Sequence, residues 1–116
     1  GLAAVIDWEL AHLGDPMEDL GWMCVPAWRF GSGLPAAGVG SREELLEAYA
    51  EASGWSVDRE ALRWWEVAGI VRWGVMCITQ ASAHRSGLAR SHELAAIGRR
   101  VCENEHDLFL ALEGRW

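Results

Sequence analysis

The sequence has 116 residues, 51% of them hydrophobic, and a formal net charge of −7. That length admits one domain or part of one, and the apolar share excludes a disordered tail. The acidic balance excludes a nucleic-acid surface, which needs a basic patch.

In chain order, Leu2 to Ile6 is a short apolar run that ends at Asp7. It reads as a buried strand whose end carries an acid. Ala3 and Ala4 weaken that strand, and a lone strand leaves backbone groups unpaired on both edges. The run therefore calls for partner strands, and the rest of the sequence offers no good one. The chain also opens without a methionine or a basic leader, so it reads as starting within a longer sequence and carrying no signal peptide.

Gly14-Asp15-Pro16-Met17-Glu18 is a helix start. Asp15 can cap, Pro16 fits the first helical position, and Glu18 completes a capping-box pattern. The helix is expected to run to about Val25, where Pro26 stops it. Residues 26–40 read as a loop rich in glycine, and its glycines match no phosphate-binding loop, which requires a lysine. Ser41-Arg42-Glu43-Glu44 is a second capping box, followed by a helical stripe of Leu45, Leu46, Tyr49 and Ala52 that Gly54 ends.

Asp58 is expected to cap a long helix from Arg59 to about His84. Its apolar positions Leu62, Trp65, Trp73, Met76 and Cys77 recur at helical spacing. Gly69 and Gly74 inside it point to close helix packing, since each costs about 1 kcal/mol against alanine. Gly87 breaks the run. Ser91 opens a last helix through about Leu112, with Leu94, Ile97, Val101, Leu108 and Leu112 on its apolar side. The expected fold is mainly α: one short strand, then about four helices. The longest apolar stretch, Val67 to Ala81, is interrupted by Arg72 and falls short of the roughly 20 residues a membrane span needs.

Residue types narrow the chemistry further. The basic residues number 10 and all are arginine, so no lysine can clamp a phosphate, form a Schiff base or act as a general base. Cys24, Cys77 and Cys102 form no CxxC pair and read as reduced thiols of a cytoplasmic protein, each a small core residue. The histidines, at 12, 84, 92 and 106, lack the helical spacing of a zinc pair. The 8 tryptophans read as core, or as a cluster that stacks on a ligand. Asp7, just past a strand-like run, is either an ordinary loop acid or a Mg²⁺ ligand. Mg²⁺ takes one or two carboxylates and fills its octahedron with water and phosphate.

Val5 to Trp22 carries a resemblance. Ile6-Asp7-Trp8-Glu9, then Gly14-Asp15-Pro16, then Asp19-Leu20-Gly21-Trp22 resembles a segment of the aminoglycoside phosphotransferase and choline kinase-like superfamily. The likeness is to the branch related to the kinase-like domain of some acyl-CoA dehydrogenases. It implies the helical C-lobe portion of a kinase-like α+β fold, and an ATP- and Mg²⁺-dependent transfer of phosphate to a hydroxyl of a small-molecule acceptor.

By that resemblance Asp7 matches the metal-binding Asp that holds Mg²⁺ against the nucleotide phosphates. Ile6 matches the apolar position near the nucleotide base. Asp15 begins the next helix, and Asp19 braces the catalytic loop as a structural acid. Trp28, Arg29, Arg72 and Trp73 are candidates for the acceptor side of the cleft, and Trp64 and Trp65 point to different faces of their helix, so only one of them can join a pocket. Arg72, inside an apolar helix, either pairs with an acid such as Glu66 or Asp19 or faces an anionic group.

The departures from the family pattern are a missing lysine, a missing catalytic loop and a single asparagine, Asn104. The base and the nucleotide-binding N-lobe are therefore expected upstream or on a partner chain. The alternative is a non-catalytic helical binding module derived from the same fold. No nucleic-acid or membrane partner is expected.

Overall fold

The computed structural model describes residues 3–115. Among them the chain forms α1 (Pro16–Cys24), α2 (Arg42–Ser53), α3 (Arg59–Ser86), α4 (His92–Gly98) and α5 (Val101–Leu112), with 3₁₀ turns at Trp8–Leu10 and Pro26–Trp28. The mainly-α expectation holds. Its caps form as the residue types dictate. Asp15 Oδ1 accepts from Met17 N at 2.9 Å, and Asp58 accepts from the amides of Glu60 and Ala61. Ser41 and Glu44 make a complete capping box, with Glu44 N donating to Ser41 Oγ at 3.1 Å and Ser41 N to Glu44 Oε2 at 2.7 Å. Gly54 and Gly87 close α2 and α3 at φ 73 and 82, a conformation that glycine adopts without penalty.

The long helix α3 is the axis. At 28 residues and 1.5 Å per residue it spans about 42 Å, and α1, α4 and α5 pack along it. Two apolar clusters result. Met17, Leu20 and Cys24 of α1 meet Leu46 of α2 and Leu62 of α3. Further along, Val25 and Ala27 meet Ile70, Trp73 and Cys77 of α3 and Ala111 of α5. The interior glycines of α3 serve close packing as expected. A Cβ on Gly69 would lie 2.7 Å from Val25 Cγ2, and one on Gly74 would lie 2.6 Å from Asn104 Nδ2.

Four expectations need correction. The strand at the start is absent: Ala3 to Ile6 have no regular structure and are exposed, and Leu2 lies outside the described residues. The reason is the one the sequence raised. The described residues supply no strand to pair with, only an isolated bridge between Ala36 and Gly40. A radius of gyration of 15.4 Å, above the ~13 Å of a compact domain near this size, is in keeping with an outlying segment 3–15. The capping box of α1 is half-made, because the Glu18 carboxylate is engaged by His12 and Arg72. The last helix is two helices. Gly98 sits against Ala81, where a Cβ would be 2.5 Å from that methyl. The chain turns there, so that Asn104 and Ala111 of α5 are buried. Finally, Cys102 is exposed, while Cys24 and Cys77 are buried free thiols. Burial pushes the Cys24 thiol up to about 11, which keeps it protonated and unreactive. Among the described residues no helix is long and apolar enough to cross a membrane.

Candidate functional site

Asp7 precedes the 3₁₀ turn Trp8–Leu10 in the left-handed region, at φ 71 and ψ 53, and its side chain makes no capping bond. Asp tolerates this conformation better than most residues. A non-glycine residue held there is a local outlier of the kind that recurs at functional sites. Ile6, beside it, is 81% exposed. The turn is tied by Trp8 Nε1, which donates to Val5 O at 3.0 Å.

His12 connects this segment to the helical body. Its Nδ1 lies 3.0 Å from Leu10 O and its Nε2 3.1 Å from Glu18 Oε2. Both ring nitrogens therefore face acceptors, which suits the protonated ring. The Leu10 carbonyl first, and Glu18 second, raise its pKa. The other oxygen of Glu18 accepts from Arg72 Nη1 at 2.6 Å, and the Arg72 guanidinium lies 5.5 Å from the centroid of Trp22. Arg72 thus pairs with neither Glu66 nor Asp19. With Glu18, Trp22, Trp65 and Gly69 it lines a small cleft of about 210 Å³.

Asp15 has two partners. Beyond its cap, Oδ2 accepts from Trp65 Nε1 at 3.1 Å, pinning α1 to α3. Asp15→Ala should lower stability by about 1–2 kcal/mol, the range for losing a cap. Asp15→Asn, which keeps the capping oxygen but sets an NH2 against the Trp65 N–H, should recover the capping part of the loss only. Urea midpoints of the three proteins measure this, and an Asn variant as weak as the Ala variant would contradict it. Asp19 is exposed on α1 and makes no hydrogen bond or ion pair among the described residues. Trp64 is 61% exposed, so the cleft takes Trp65 only, although the two rings touch edge to face at 4.6 Å.

Two of the remaining predicted residues, Arg29 and Trp73, meet at a second cleft. Trp22, Trp28 and Trp73 form a row, with centroids 5.2 and 4.9 Å apart. Trp73 and Arg29 line a cleft of about 400 Å³, closed on its far side by Arg100, Glu103, Asn104 and Asp107. Arg29 is held from behind. Its Nη2 donates to Cys24 O at 2.9 Å and to Glu66 Oε1 at 3.1 Å. Glu66 is fully buried and also accepts from Arg42 Nε at 2.8 Å and Nη2 at 2.6 Å. Burial lowers the Arg29 pKa, with Glu66 opposing, and the hydrogen bonds to Glu66 raise that of Arg42. Burial also pushes the Asp107 carboxyl up, against the pull of His106 and Arg29.

The structure therefore brings Arg29 and Trp73 together, with Trp28 behind them, and places Arg72 elsewhere. Sequence reasoning missed Arg42, Arg100, Asn104 and Asp107, and gave Glu66 the wrong partner. A signal existed for two of these. Glu66 falls on the stripe Leu62, Ile70, Trp73, Cys77, and Asn104 on the stripe Val101, Leu108, Ala111. A polar residue on an apolar stripe is buried and must be partnered. Asn104 meets that requirement through Nδ2, which donates to Ile70 O at 2.8 Å.

As for metal chemistry, Mg²⁺ asks one or two carboxylates of a protein. Asp7 is exposed and can supply one. Among the described residues no group of three or more candidate ligands gathers, so Asp7 fits a single-donor role and not a cage built by this chain alone.

Comparison with known proteins agrees with the motif in Val5 to Trp22. None of the curated proteins or solved structures compared matches the chain. The model of the phosphotransferase enzyme family matches residues 1–65, which takes in Asp7, Asp15, Arg29 and α2. The match extends over more than half of the sequence, and the chain belongs to the phosphotransferase enzyme family, of the aminoglycoside phosphotransferase and kinase-like type.

Proposed function

We propose that the chain is the helical C-lobe portion of an ATP- and Mg²⁺-dependent phosphotransferase that acts on a hydroxyl of a small molecule, and that alone it transfers no phosphate. The observation that carries this reading is Asp7: the family match includes it, and its backbone is left-handed with the carboxylate uncommitted to a cap. Asp7 would hold the metal, and Ile6, left open at 81% exposure, would border the nucleotide. Bound Mg²⁺ would supply charge neutralisation to the transferring phosphoryl group.

This chain's own residues do the holding. The cap of Asp15, its bond to Trp65 and the His12–Glu18–Arg72 link attach the segment with Asp7 to α1 and α3. Arg29 and Trp73 form the wall that would meet the acceptor. The base and the phosphate-clamping cation would come from upstream sequence or a partner chain, because this chain has no lysine and kinase-like transfer requires those parts. The protein would be cytoplasmic.

The test has two arms. The 116-residue chain, incubated with radiolabelled ATP, Mg²⁺ and a panel of hydroxyl acceptors, should give no transfer above background. Turnover by it that Asp7→Ala removes would contradict the inactivity of the isolated chain. In the native product carrying any upstream lobe, Asp7→Ala should cut kcat/KM by roughly 10²–10³-fold, the scale of losing one charge-stabilising group, with an unchanged circular-dichroism spectrum. Unchanged kcat/KM there would favour a non-catalytic binding module instead.

A further inference from the structure

The helix α3 is covered on two sides only. α1 packs on it at Trp65 and Gly69, and α4 and α5 pack at Ala81 and Gly74. The face between them is open, and it is apolar. Trp64, Ala68, Val71, Val75 and Ile78 follow one another at alternating steps of four and three residues. The four larger of them are 46% to 61% exposed. Such alternation averages about 3.5 residues, the spacing of the seam between two paired helices. From Trp64 to Ile78 it covers about 21 Å. Single exposed apolar residues are ordinary, but a continuous row along one helix marks a contact surface.

The seam is complementary to itself. Glu60 extends it at one end, and Ser82 and Arg85 at the other. Glu60 and Arg85 stand about seven whole turns apart, so they flank the same side of it. Both are exposed, and neither side chain makes an ion pair among the described residues. Consider a second α3 laid antiparallel on the first, with a twofold axis between Val71 and Val75. Val71 then meets Val75 of the second copy, Ala68 meets Ile78, and Trp64 meets Ser82. Small residues oppose large ones, and Glu60 opposes Arg85. Parallel copies would instead set Glu60 against Glu60, Arg85 against Arg85 and Trp64 against Trp64. The antiparallel pairing is isologous. It is also neutral along the seam, although each chain carries −7.

We propose that α3 pairs with α3 of a second copy of this chain through this seam, as an antiparallel, twofold-symmetric dimer. An interface this short is at the weak end of specific contacts, and should give a Kd of roughly 10–100 μM. The seam uses none of the residues assigned to phosphotransfer, so neither reading depends on the other.

The experiment is sedimentation equilibrium of the 116-residue chain up to about 1 mM, with far-ultraviolet circular dichroism as the check on folding. The parent should pass from monomer to dimer. Val75 is exposed beside the axis, so Val75→Glu should keep the helical spectrum and weaken the dimer roughly 100-fold, by burying unpaired carboxylates. Glu60→Arg and Arg85→Glu should each weaken it by roughly tenfold, because each breaks two symmetry-related pairs and sets like charges together. The double variant, Glu60→Arg with Arg85→Glu, restores opposite charges across the axis and should return to within about threefold of the parent. The dipole of a single helix favours an acid at its start and a base at its end. If the two charges served only that dipole, the double variant would be the worst of the three. A monomer throughout the range overturns the proposal, as does a dimer that Val75→Glu leaves intact or a double variant no better than the single ones. So does a longer native product that stays monomeric where the 116-residue chain dimerises, since upstream sequence would then cover the seam.

Discussion

Replacing Glu66 by alanine is expected to destabilise the chain by about 3–5 kcal/mol, the cost of breaking a buried ion pair from one side. Glu66 has no exposed surface, and its two partners retain only 18% and 20% of theirs. Removing the carboxylate leaves Arg29 and Arg42 facing each other across a buried gap. Both guanidinium groups then lose the carboxylate they share, and the two repel at short range. The loss is large because Glu66 joins three parts of the chain: α3, the turn after α1 and the start of α2. Urea unfolding followed by tryptophan fluorescence measures it. A loss under about 1 kcal/mol, the value of an exposed pair, would mean that the carboxylate is hydrated and loosely packed. Replacing Glu66, Arg29 and Arg42 together by apolar residues should cost far less than Glu66→Ala alone, because such a swap leaves no orphaned charge. That comparison separates the penalty of an unpaired charge from the intrinsic worth of the node.

Local signals were legible in the sequence because they are read from neighbours. Asp15, Ser41 and Asp58 cap α1, α2 and α3 as their types and spacings require. Gly54 and Gly87 end helices where only a left-handed residue fits. The motif around Asp7 was legible for the same reason, as a run of fixed order within eighteen residues or so. What escaped was pairing at a distance. The partner of Arg72 lies 54 residues away, and the partners of Glu66 lie 37 and 24 away. Three acids and three arginines can be matched in several ways, and only packing selects one. The wall of the larger cleft escaped too. Arg100 and Asp107 join that wall only because the turn after Gly98 brings α5 against Trp73. The absent strand is the opposite case. The local pattern of Ala3 to Ile6 was strand-like, but pairing is a non-local requirement, and nothing among the described residues meets it.

Gly21→Ala is the second substitution with a large expected effect, and its cause is geometric. Gly21 lies where α1 crosses α3. A Cβ there would sit 2.6 Å from Trp65 Cβ, 2.7 Å from the Trp65 carbonyl carbon and 2.8 Å from Glu66 N. Two of those atoms are backbone of a long helix, which cannot rotate aside as a side-chain tip can. The helices must separate by the better part of an ångström, and the separation falls on the residues that matter most. Trp65 loses its fit to Asp15, and Glu66 is drawn from Arg29, which follows α1. Overpacking of this kind costs about 1–3 kcal/mol, against which alanine recovers up to about 1 kcal/mol of helix propensity. Coupling to the Glu66 node should set the net loss at the upper end, about 2–3 kcal/mol. Gly33, with nothing within 4 Å of its added Cβ, is the control: Gly33→Ala should stay within about 0.5 kcal/mol of the parent. Calorimetry of the three proteins gives the stabilities, and near-ultraviolet circular dichroism reports whether the tryptophans keep their packing. A Gly21→Ala protein that matches the Gly33 control in both would show that α1 and α3 do not approach this closely. The close crossing would then no longer explain how Asp15, Glu66 and the segment that bears Asp7 are held against α3.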